Sequence, residues 1–184
     1  MKSVGKVSIL FFLILALSCK STSSPEVTAQ QIKELEEIMD NKSFEFRAQW
    51  ARPLVTSSLN SVGNAGLLPQ GSNINNIDLT GNANYFRMYG DSVAAYFPYY
   101  GEKQLGGGGY PPNENSIKFE GIPEKVNIEK NQKGYNIKFY IKYKIETYQV
   151  NAQLFPSKKG NININSTHRF PITYQGTITT KTSL

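Results

Sequence analysis

The chain has few of the side chains that hold metal ions or act as catalytic bases. Its 184 residues include one histidine, His168, and one cysteine, Cys19. Zinc sites need several histidine, cysteine or carboxylate ligands at set spacings. The three aspartates lie far apart in the sequence and form no calcium-loop pattern: Asp40, Asp78 and Asp91. We therefore expect no metal ion and no cofactor.

Patterns that would indicate an enzyme or a nucleic-acid-binding protein are also missing. No GxSxG motif is present, and His168 lies in "STHRFP", where we expect an exposed loop. The net charge is +6, and Lys2 and Lys6 near the N-terminus contribute to it. The basic residues form no polybasic tract, so nucleic acid is not an expected partner. Catalysis by paired carboxylates stays open, because five glutamates are free to meet in space: Glu45, Glu114, Glu120, Glu129 and Glu146.

The N-terminus predicts export and a lipid anchor. Lys2 and Lys6 precede and flank an apolar run, "VSILFFLILAL" at residues 7–17, and the motif "ALSC" ends at Cys19. Eleven helical residues span about 16 Å, whereas a hydrocarbon core is about 30 Å thick, so a cleaved signal peptide fits better than a membrane span. "ALSC" resembles the bacterial lipobox, which implies that Cys19 carries acyl chains such as palmitate. A lone thiol without a disulfide partner is consistent with this use.

These motifs divide the chain into three parts. They are a signal peptide at residues 1–18, a lipidated cysteine with a small polar tether at residues 19–26, and one domain at residues 27–184. No acidic residue follows Cys19 until Glu26, whereas acidic residues directly after the cysteine resemble a surface-export signal in some lipoprotein-rich bacteria. We therefore expect an outer-membrane lipoprotein of the cell envelope that faces the periplasm.

One helix is predicted at the start of the domain, over residues 28–41. Thr28 and Gln31 have the spacing of a capping box, and Val27 and Ile32 are placed for the hydrophobic staple around it. Four apolar side chains then form one stripe at helical spacing: Ile32, Leu35, Ile38 and Met39. The helix is therefore expected to pack on the domain through this stripe.

The rest of the chain alternates with a period of two residues, which is typical of half-buried strands. In "SFEFRAQWA" four side chains are predicted to share one face: Phe44, Phe46, Ala48 and Trp50. "KVNIEKNQKGYNIKFYIKYK" and "ETYQVNAQLF" continue the alternation, "NYFRMYGDSVAAYF" predicts a hairpin that turns at residues 90–92, and residues 56–76 read as a long loop with a short strand in "NNIDLTG". The predicted fold is mainly β, an antiparallel meander of about eight to nine strands that forms a barrel or a strongly curved sheet, with one N-terminal α-helix.

One segment, "YFPYYGEKQLGGGGYPP" at residues 96–112, suggests a ligand site. A phosphate loop is excluded, because the glycines are followed by tyrosine and two prolines rather than by lysine and a helix. Tyrosine rings offer flat apolar faces and a hydroxyl group, which suit an amphipathic ligand at a barrel rim. The candidate ligand-binding residues are Tyr96, Tyr99, Tyr100 and Tyr110. The alternative is that Tyr96 and Tyr100 pack in the barrel wall while the glycines permit a tight crossing.

Motifs spread along the chain are shared with one protein family. They are the lipobox, the N-terminal helix, "GDSVAAYFPYYG", a glycine-rich segment that ends in tyrosine, "IKFEG", "KGYNIKFYIKYKIETYQVNAQLF" and "ITYQGTI". In these the chain resembles a family of uncharacterised lipoproteins of Gram-negative bacteria of the Bacteroides type, over about residues 27–180. The resemblance implies a lipocalin-like β-barrel and carries no assigned activity or catalytic residue. The chain has "PSKKG" where that family usually has a glycine-rich turn.

The sequence therefore favours a binding function over catalysis. We expect a non-enzymatic binding module, held to the membrane by its lipid, for a small amphipathic or apolar ligand or for an envelope protein. The alternatives are a structural or assembly lipoprotein without a ligand and, third, a hydrolase that uses paired carboxylates. A large apolar cavity beside Tyr99 and Tyr110 would favour the small ligand, whereas a filled interior with an exposed apolar patch would favour a protein partner.

Overall fold

The computed structural model describes residues 27–104 and 115–180. Within these ranges the chain is mainly β, and neither of its two helices is long and apolar enough to cross a membrane. The helices are α1 (Ala29–Asp40) and α2 (Ser57–Asn64). The strands are β1 (Ser43–Pro53), β2 (Ile77–Asp78), β3 (Tyr85–Tyr89), β4 (Ser92–Pro98), β5 (Ser116–Gly121), β6 (Glu124–Asn131), β7 (Gly134–Tyr143), β8 (Glu146–Leu154), β9 (Lys159–Ser166) and β10 (Ile172–Thr180).

The strands form one antiparallel sheet that curls into a half-barrel. Its order is β5-β4-β3-β1-β10-β9-β8-β7-β6, and the short β2 pairs with β1 off this path. The edge strands β5 and β6 are consecutive in the sequence and are joined by only Ile122 and Pro123. The two edges of the sheet therefore meet at this connection. The predicted antiparallel, strongly curved sheet and its N-terminal helix are confirmed, and so is the predicted hairpin turn, where Tyr89 pairs with Ser92.

The concave face of the half-barrel is filled by aromatic side chains. The largest that are fully buried are Phe44, Phe46, Phe86, Phe97, Phe119, Phe139 and Tyr174. Rings from opposite walls meet across the concavity. The ring centroid of Phe119 on β5 lies 6.3 Å from that of Phe139 on β7 and 5.3 Å from that of Tyr148 on β8. These contacts hold the two edges of the sheet close together without a ladder of hydrogen bonds between them.

Helix α1 begins with the predicted capping box. The Thr28 side chain accepts a hydrogen bond from the Gln31 backbone, and the Gln31 side chain accepts one from the Thr28 backbone at 3.0 Å. Three residues of the predicted stripe are buried in the core: Leu35, Ile38 and Met39. Ile32 and Val27 are largely exposed, so Ile32 does not belong to the core as predicted, and the helix contributes to it only from its second turn onward.

Two ion pairs place α1 across one end of the half-barrel. Glu34 lies 2.9 Å from Lys158 in the β8–β9 turn, and Glu36 lies 2.5 Å from Lys130 near the end of β6. These partners come from neighbouring turns at one end of the sheet. Because all four side chains are substantially exposed, the pairs orient the helix more than they stabilise it.

The loop predicted over residues 56–76 is partly wrong, because it contains α2. Thr56 caps this helix, and its side chain accepts a hydrogen bond from the Leu59 backbone at 3.2 Å. Serine, asparagine and glycine have low helix propensity, so the composition hides a helix that its cap and the buried Leu59 support. The short strand predicted in "NNIDLTG" is present as β2.

A β-bulge changes the predicted pattern of β1. The pairing register with β10 shifts between Ala48 and Trp50, so Ala51 is buried and Trp50 is 36% exposed. The predicted inward direction of Trp50 is therefore wrong, since one extra residue reverses the alternation beyond it. Gly176 lies opposite the bulge, where a Cβ atom would overlap the carbonyl oxygen of Arg47. Only glycine allows the two strands to approach this closely.

Candidate functional site

The candidate tyrosines are not all brought to one place. Tyr96 points outward from β4, with its ring centroid 6.5 Å from that of Tyr85. Tyr99 is buried just after β4, and Tyr100 is half-buried against the core. Tyr110 lies outside the described residues. Two of the four therefore lie at one end of the half-barrel and one lies on its outer face.

Tyr99 has a structural role at this end. Its hydroxyl oxygen lies 2.8 Å from the Glu102 carbonyl oxygen and 3.1 Å from the Phe170 carbonyl oxygen, and it donates to these backbone acceptors. Gly101 passes so close that a Cβ atom there would lie 2.6 Å from this hydroxyl. Burial raises the pKa of Tyr99 to about 12, although the nearby Arg169 cation opposes the shift. A hydroxyl held in this way is not available to a ligand.

A buried ion pair beside Tyr99 was missed by the sequence analysis. The Nε atom of Arg169 lies 2.9 Å from Oε1 of Glu146, and both side chains are 2% exposed. The Tyr148 hydroxyl donates to the other carboxylate oxygen, and the guanidinium carbon lies 5.1 Å from the Tyr99 ring centroid. One clue is present in the sequence, because Glu146 has the same inward parity on β8 as Tyr148 and Val150. No pattern predicts Arg169, which lies in the irregular β9–β10 connection.

His168 lies in the same connection. It is half-buried rather than exposed as expected, and its Nδ1 atom lies 2.8 Å from the Thr167 hydroxyl oxygen. Its backbone carbonyl accepts a hydrogen bond from the Gln104 backbone at 2.8 Å. His168 therefore ties the β9–β10 connection to the segment after β4.

Both buried glutamates of the described residues contact arginine. Glu146 binds Arg169, and Glu45 on β1 lies 2.7 Å from Arg47 Nε and 2.6 Å from Arg87 Nε. Over residues 27–104 and 115–180, no three His, Cys, Asp or Glu side chains are grouped as a metal site would require. Paired-carboxylate hydrolysis would need a second carboxylate that faces one of these two across a cleft.

A small groove lies between α2 and the segment that follows β4. Its volume is about 200 Å³, and Tyr100 forms part of its wall. The other apolar residues that line it are Leu59, Val62, Leu67 and Leu68. Glu102 lies at its edge, where hydrogen bonds from the Thr56 and Ser58 side chains lower the pKa of its carboxyl group. This volume is below the range of about 300–1,000 Å³ that is usual for small-molecule sites.

A larger groove, of about 510 Å³, opens where the two edges of the sheet meet. We call it the seam groove. Its apolar walls are formed by Met88, Ile122, Pro123, Val126 and Ile128. Ile122 is 75% exposed and Val126 is 47% exposed. The alternation predicted along "KVNIEKNQKGYNIKFYIKYK" does not bury Val126, because β6 is an edge strand with a bulge between Glu124 and Asn127, and its side chains face mainly solvent.

A charged pair closes one side of the seam groove. Lys42 Nζ lies 2.9 Å from Asp91 Oδ1, and the Gly90 backbone donates to the Lys42 carbonyl oxygen at 2.9 Å. These contacts join the α1–β1 turn to the β3–β4 hairpin. The groove therefore has apolar walls and a charged pair at its rim, and an apolar centre with a polar rim is the arrangement found at protein–protein interfaces.

Comparison with known proteins gives a family and a fold. Residues 26–178 match the sequence model of a family described as a domain of unknown function, DUF4251. The chain is similar to the crystal structure of a DUF4251 family protein from Bacteroides eggerthii, with a TM-score of 0.54 and 12% sequence identity. That match covers 83% of this chain and 89% of the other, and at this identity it shows the fold alone. No curated protein matches the chain.

Proposed function

The chain belongs to the DUF4251 family, and we propose that it is a non-enzymatic binding module for a protein partner in the bacterial cell envelope. The family resemblance is confirmed over residues 26–178, which do not include the lipobox, and the family description assigns no activity. The observation that carries the proposal is the seam groove, an exposed apolar surface beside a filled interior.

The filled interior supports binding at the surface. A lipocalin-like barrel that carries a small ligand needs an internal cavity, but the concave face is packed with fully buried rings such as Phe86, Phe119 and Phe139. A small apolar ligand would have to displace these contacts. An exposed apolar groove, in contrast, is typical of a site for another protein.

The seam groove, at about 510 Å³, has room for apolar side chains of a partner. Ile122 and Val126 project from its walls, while Met88 lies on the buried side. Apolar or aromatic anchors that enter such pockets supply most of the affinity of protein interfaces, and polar rims around them exclude water. The proposed partner is therefore an envelope protein that places an apolar side chain in the groove, with Lys42 and Asp91 at the rim of the contact.

Photo-crosslinking in the native envelope tests this proposal. A photoreactive amino acid at Ile122 is expected to give a discrete adduct that disappears in Val126→Asp, because a carboxylate in the groove opposes an apolar anchor. Ile145→Asp is the matched control, because Ile145 is 49% exposed in the β7–β8 turn, close to the 47% of Val126. An adduct that survives Val126→Asp, or one that Ile145→Asp removes equally, would refute the site.

Native mass spectrometry tests the small-ligand alternative. The soluble domain, residues 24–184, purified from its own periplasm, is expected at the mass of the protein alone. A small molecule that co-purifies in stoichiometric amount would replace the protein-partner proposal.

The proposed location depends on Cys19, which lies outside the described residues. We propose that it is acylated, because several acyl chains anchor a protein stably whereas one chain is marginal. The proposed place is the periplasmic face of the outer membrane. Cys19→Ser is expected to move the protein from the membrane pellet to the soluble fraction. An unchanged pellet fraction would contradict the lipid anchor.

A further inference from the structure

Most of the outward side chains of β8 and β9 are amides, and the others include Thr147 and Lys159. We call the six amide residues the amide face: Gln149, Asn151, Gln153, Asn161, Asn163 and Asn165. The residues between them, such as Val150 and Ile162, are fully buried on the concave face. Because side chains alternate along a strand, the six amides all point outward.

The strand register arranges the amides as a grid. They form three directly opposed pairs: Asn161 with Gln153, Asn163 with Asn151, and Asn165 with Gln149. Gln175 of β10 extends one row on one side, opposite Asn161, and Asn136 of β7 extends it on the other side, opposite Gln153. With strands about 4.8 Å apart, this row of four amides is roughly 14 Å long.

The chemistry of the amide face favours a polar ligand rich in hydroxyl groups. None of its six side chains is charged, although cations border it: Lys138 lies opposite Asn151, and Lys159 precedes Asn161 on the same face of β9. The face also lacks the apolar centre of a protein interface. Each amide has both donors and an acceptor, which matches the hydroxyl groups of an uncharged sugar, since these also donate and accept.

The hydrogen-bonding capacity of the grid is only partly used within the protein. Asn163 Nδ2 donates to the Thr173 hydroxyl at 3.0 Å, and Asn165 Nδ2 donates to Asn163 Oδ1 at 3.2 Å. In contrast, Asn136 Oδ1 and Asn151 Oδ1 are buried and accept no hydrogen bond from any described residue. At this burial the two oxygens are out of reach of a ligand on the outer face, so the contacts of the grid with a ligand would come from its exposed amides, Gln149 and Gln153.

Aromatic rings stand at two margins of the grid. Trp50 lies opposite Gln175 at one end of the long row, and Tyr140 lies opposite Gln149 on the β7 side. Both rings are more than a third exposed. The bulge in β1 turns Trp50 to this outer face. Flat aromatic faces of this kind stack on the apolar C–H faces of sugar rings.

We propose that the amide face binds an extended chain of uncharged sugars, with Trp50 stacked on a sugar ring at one end. The site is separate from the seam groove, and its residues lie on different strands. The sugar-binding proposal can therefore be tested independently of the protein-partner proposal.

Binding of neutral polysaccharides by the domain tests this inference. Trp50 is the one tryptophan of the chain, so its fluorescence reports directly on a ligand at the end of the face. Laminarin, xylan, mannan and amylose are the neutral probes, and polygalacturonate is the charged one. At least one neutral probe is expected to shift the Trp50 emission and to retard the protein in affinity electrophoresis. Polygalacturonate is expected to do neither.

A double variant locates the binding to the amide face. Gln153→Ala/Asn161→Ala removes one opposed pair and is expected to weaken binding by at least about tenfold, since two hydrogen bonds are lost. Asn60→Ala/Gln70→Ala is the matched control, because both residues are exposed amides outside the sheet, and it should bind as the unaltered protein does. Urea unfolding checks that both variants are folded.

Three results would overturn the inference. They are no response to any of the four neutral polysaccharides, equal binding of polygalacturonate, and unaltered affinity of a folded Gln153→Ala/Asn161→Ala variant.

Discussion

Breaking the buried ion pair between Arg169 and Glu146 is expected to lower the free energy of unfolding strongly. Arg169→Met keeps an apolar stem but leaves the Glu146 carboxylate, whose side chain is 2% exposed, without its cation. Removing one partner of a buried ion pair costs about 3–5 kcal/mol. Tyr148 still donates to this carboxylate, so we expect the lower end, about 3 kcal/mol. For a domain of this size the Tm should fall by about 6–12 °C.

Urea unfolding with linear extrapolation measures this loss. The control is Lys42→Met, which breaks the Lys42–Asp91 pair, whose side chains are 43% and 82% exposed. An exposed pair contributes at most about 1 kcal/mol, so the control should remain close to the unaltered protein. If Arg169→Met lost no more stability than Lys42→Met, burial would not be the source of the effect.

A double-mutant cycle separates the pair from its surroundings. Glu146→Gln removes the charge but keeps a side-chain oxygen that can accept from Tyr148. In Arg169→Met/Glu146→Gln no buried charge is left unpaired, so the double variant should be more stable than the sum of the two single losses predicts. Strict additivity would show that Arg169 and Glu146 do not act as a pair.

Further predictions concern a close approach, a titration and the core. Gly176→Ala should cost more than about 2 kcal/mol in urea unfolding, because its Cβ atom overlaps the Arg47 carbonyl. Gly66→Ala, which meets open space but has a φ of +69°, should cost about 1 kcal/mol, and equal losses would contradict the close approach. Since the pKa of Tyr99 is raised from 10.0 to about 12, its stabilising contribution is complete below pH 10 and is lost as the pH rises through 12. Stability over this window should fall more steeply than in Tyr99→Phe, and parallel curves would contradict the shift. Phe139→Ala should lower stability by about 3–5 kcal/mol in thermal unfolding, and a loss below about 1 kcal/mol would show that the interior is loosely packed.

Local patterns predicted most of the secondary structure. The capping box at Thr28 depends on residues three apart, and the turn at residues 90–92 depends on short-range conformational preference, so both are visible in the sequence. The predictions failed where distant residues decide the result. Trp50 turns outward because of a bulge that forms against Gly176 on another strand. Helix α2 was missed because its composition alone favours a loop.

In the candidate sites, too, local features could be predicted from the sequence, whereas contacts between distant residues could not. The six amides of the amide face can be read from alternation in two segments, but their arrangement in opposed pairs depends on the register between β8 and β9. The tyrosine-rich segment was predicted to hold a ligand site, yet its Tyr99 is a buried structural residue. The Arg169–Glu146 pair joins a strand to an irregular connection, which no periodic pattern relates.

The sequence by itself determined the local elements of the domain, which are one capped helix and a series of alternating strands with amides on two of them, while the signal peptide and the lipid anchor at Cys19 stay predictions. Only the tertiary structure decided that the interior is filled and that Met88, Ile122 and Val126 form a groove. The reason is physical. Alternation and capping arise from neighbours along the chain, whereas the seam groove exists because the curl of nine strands brings the two edges of one sheet together.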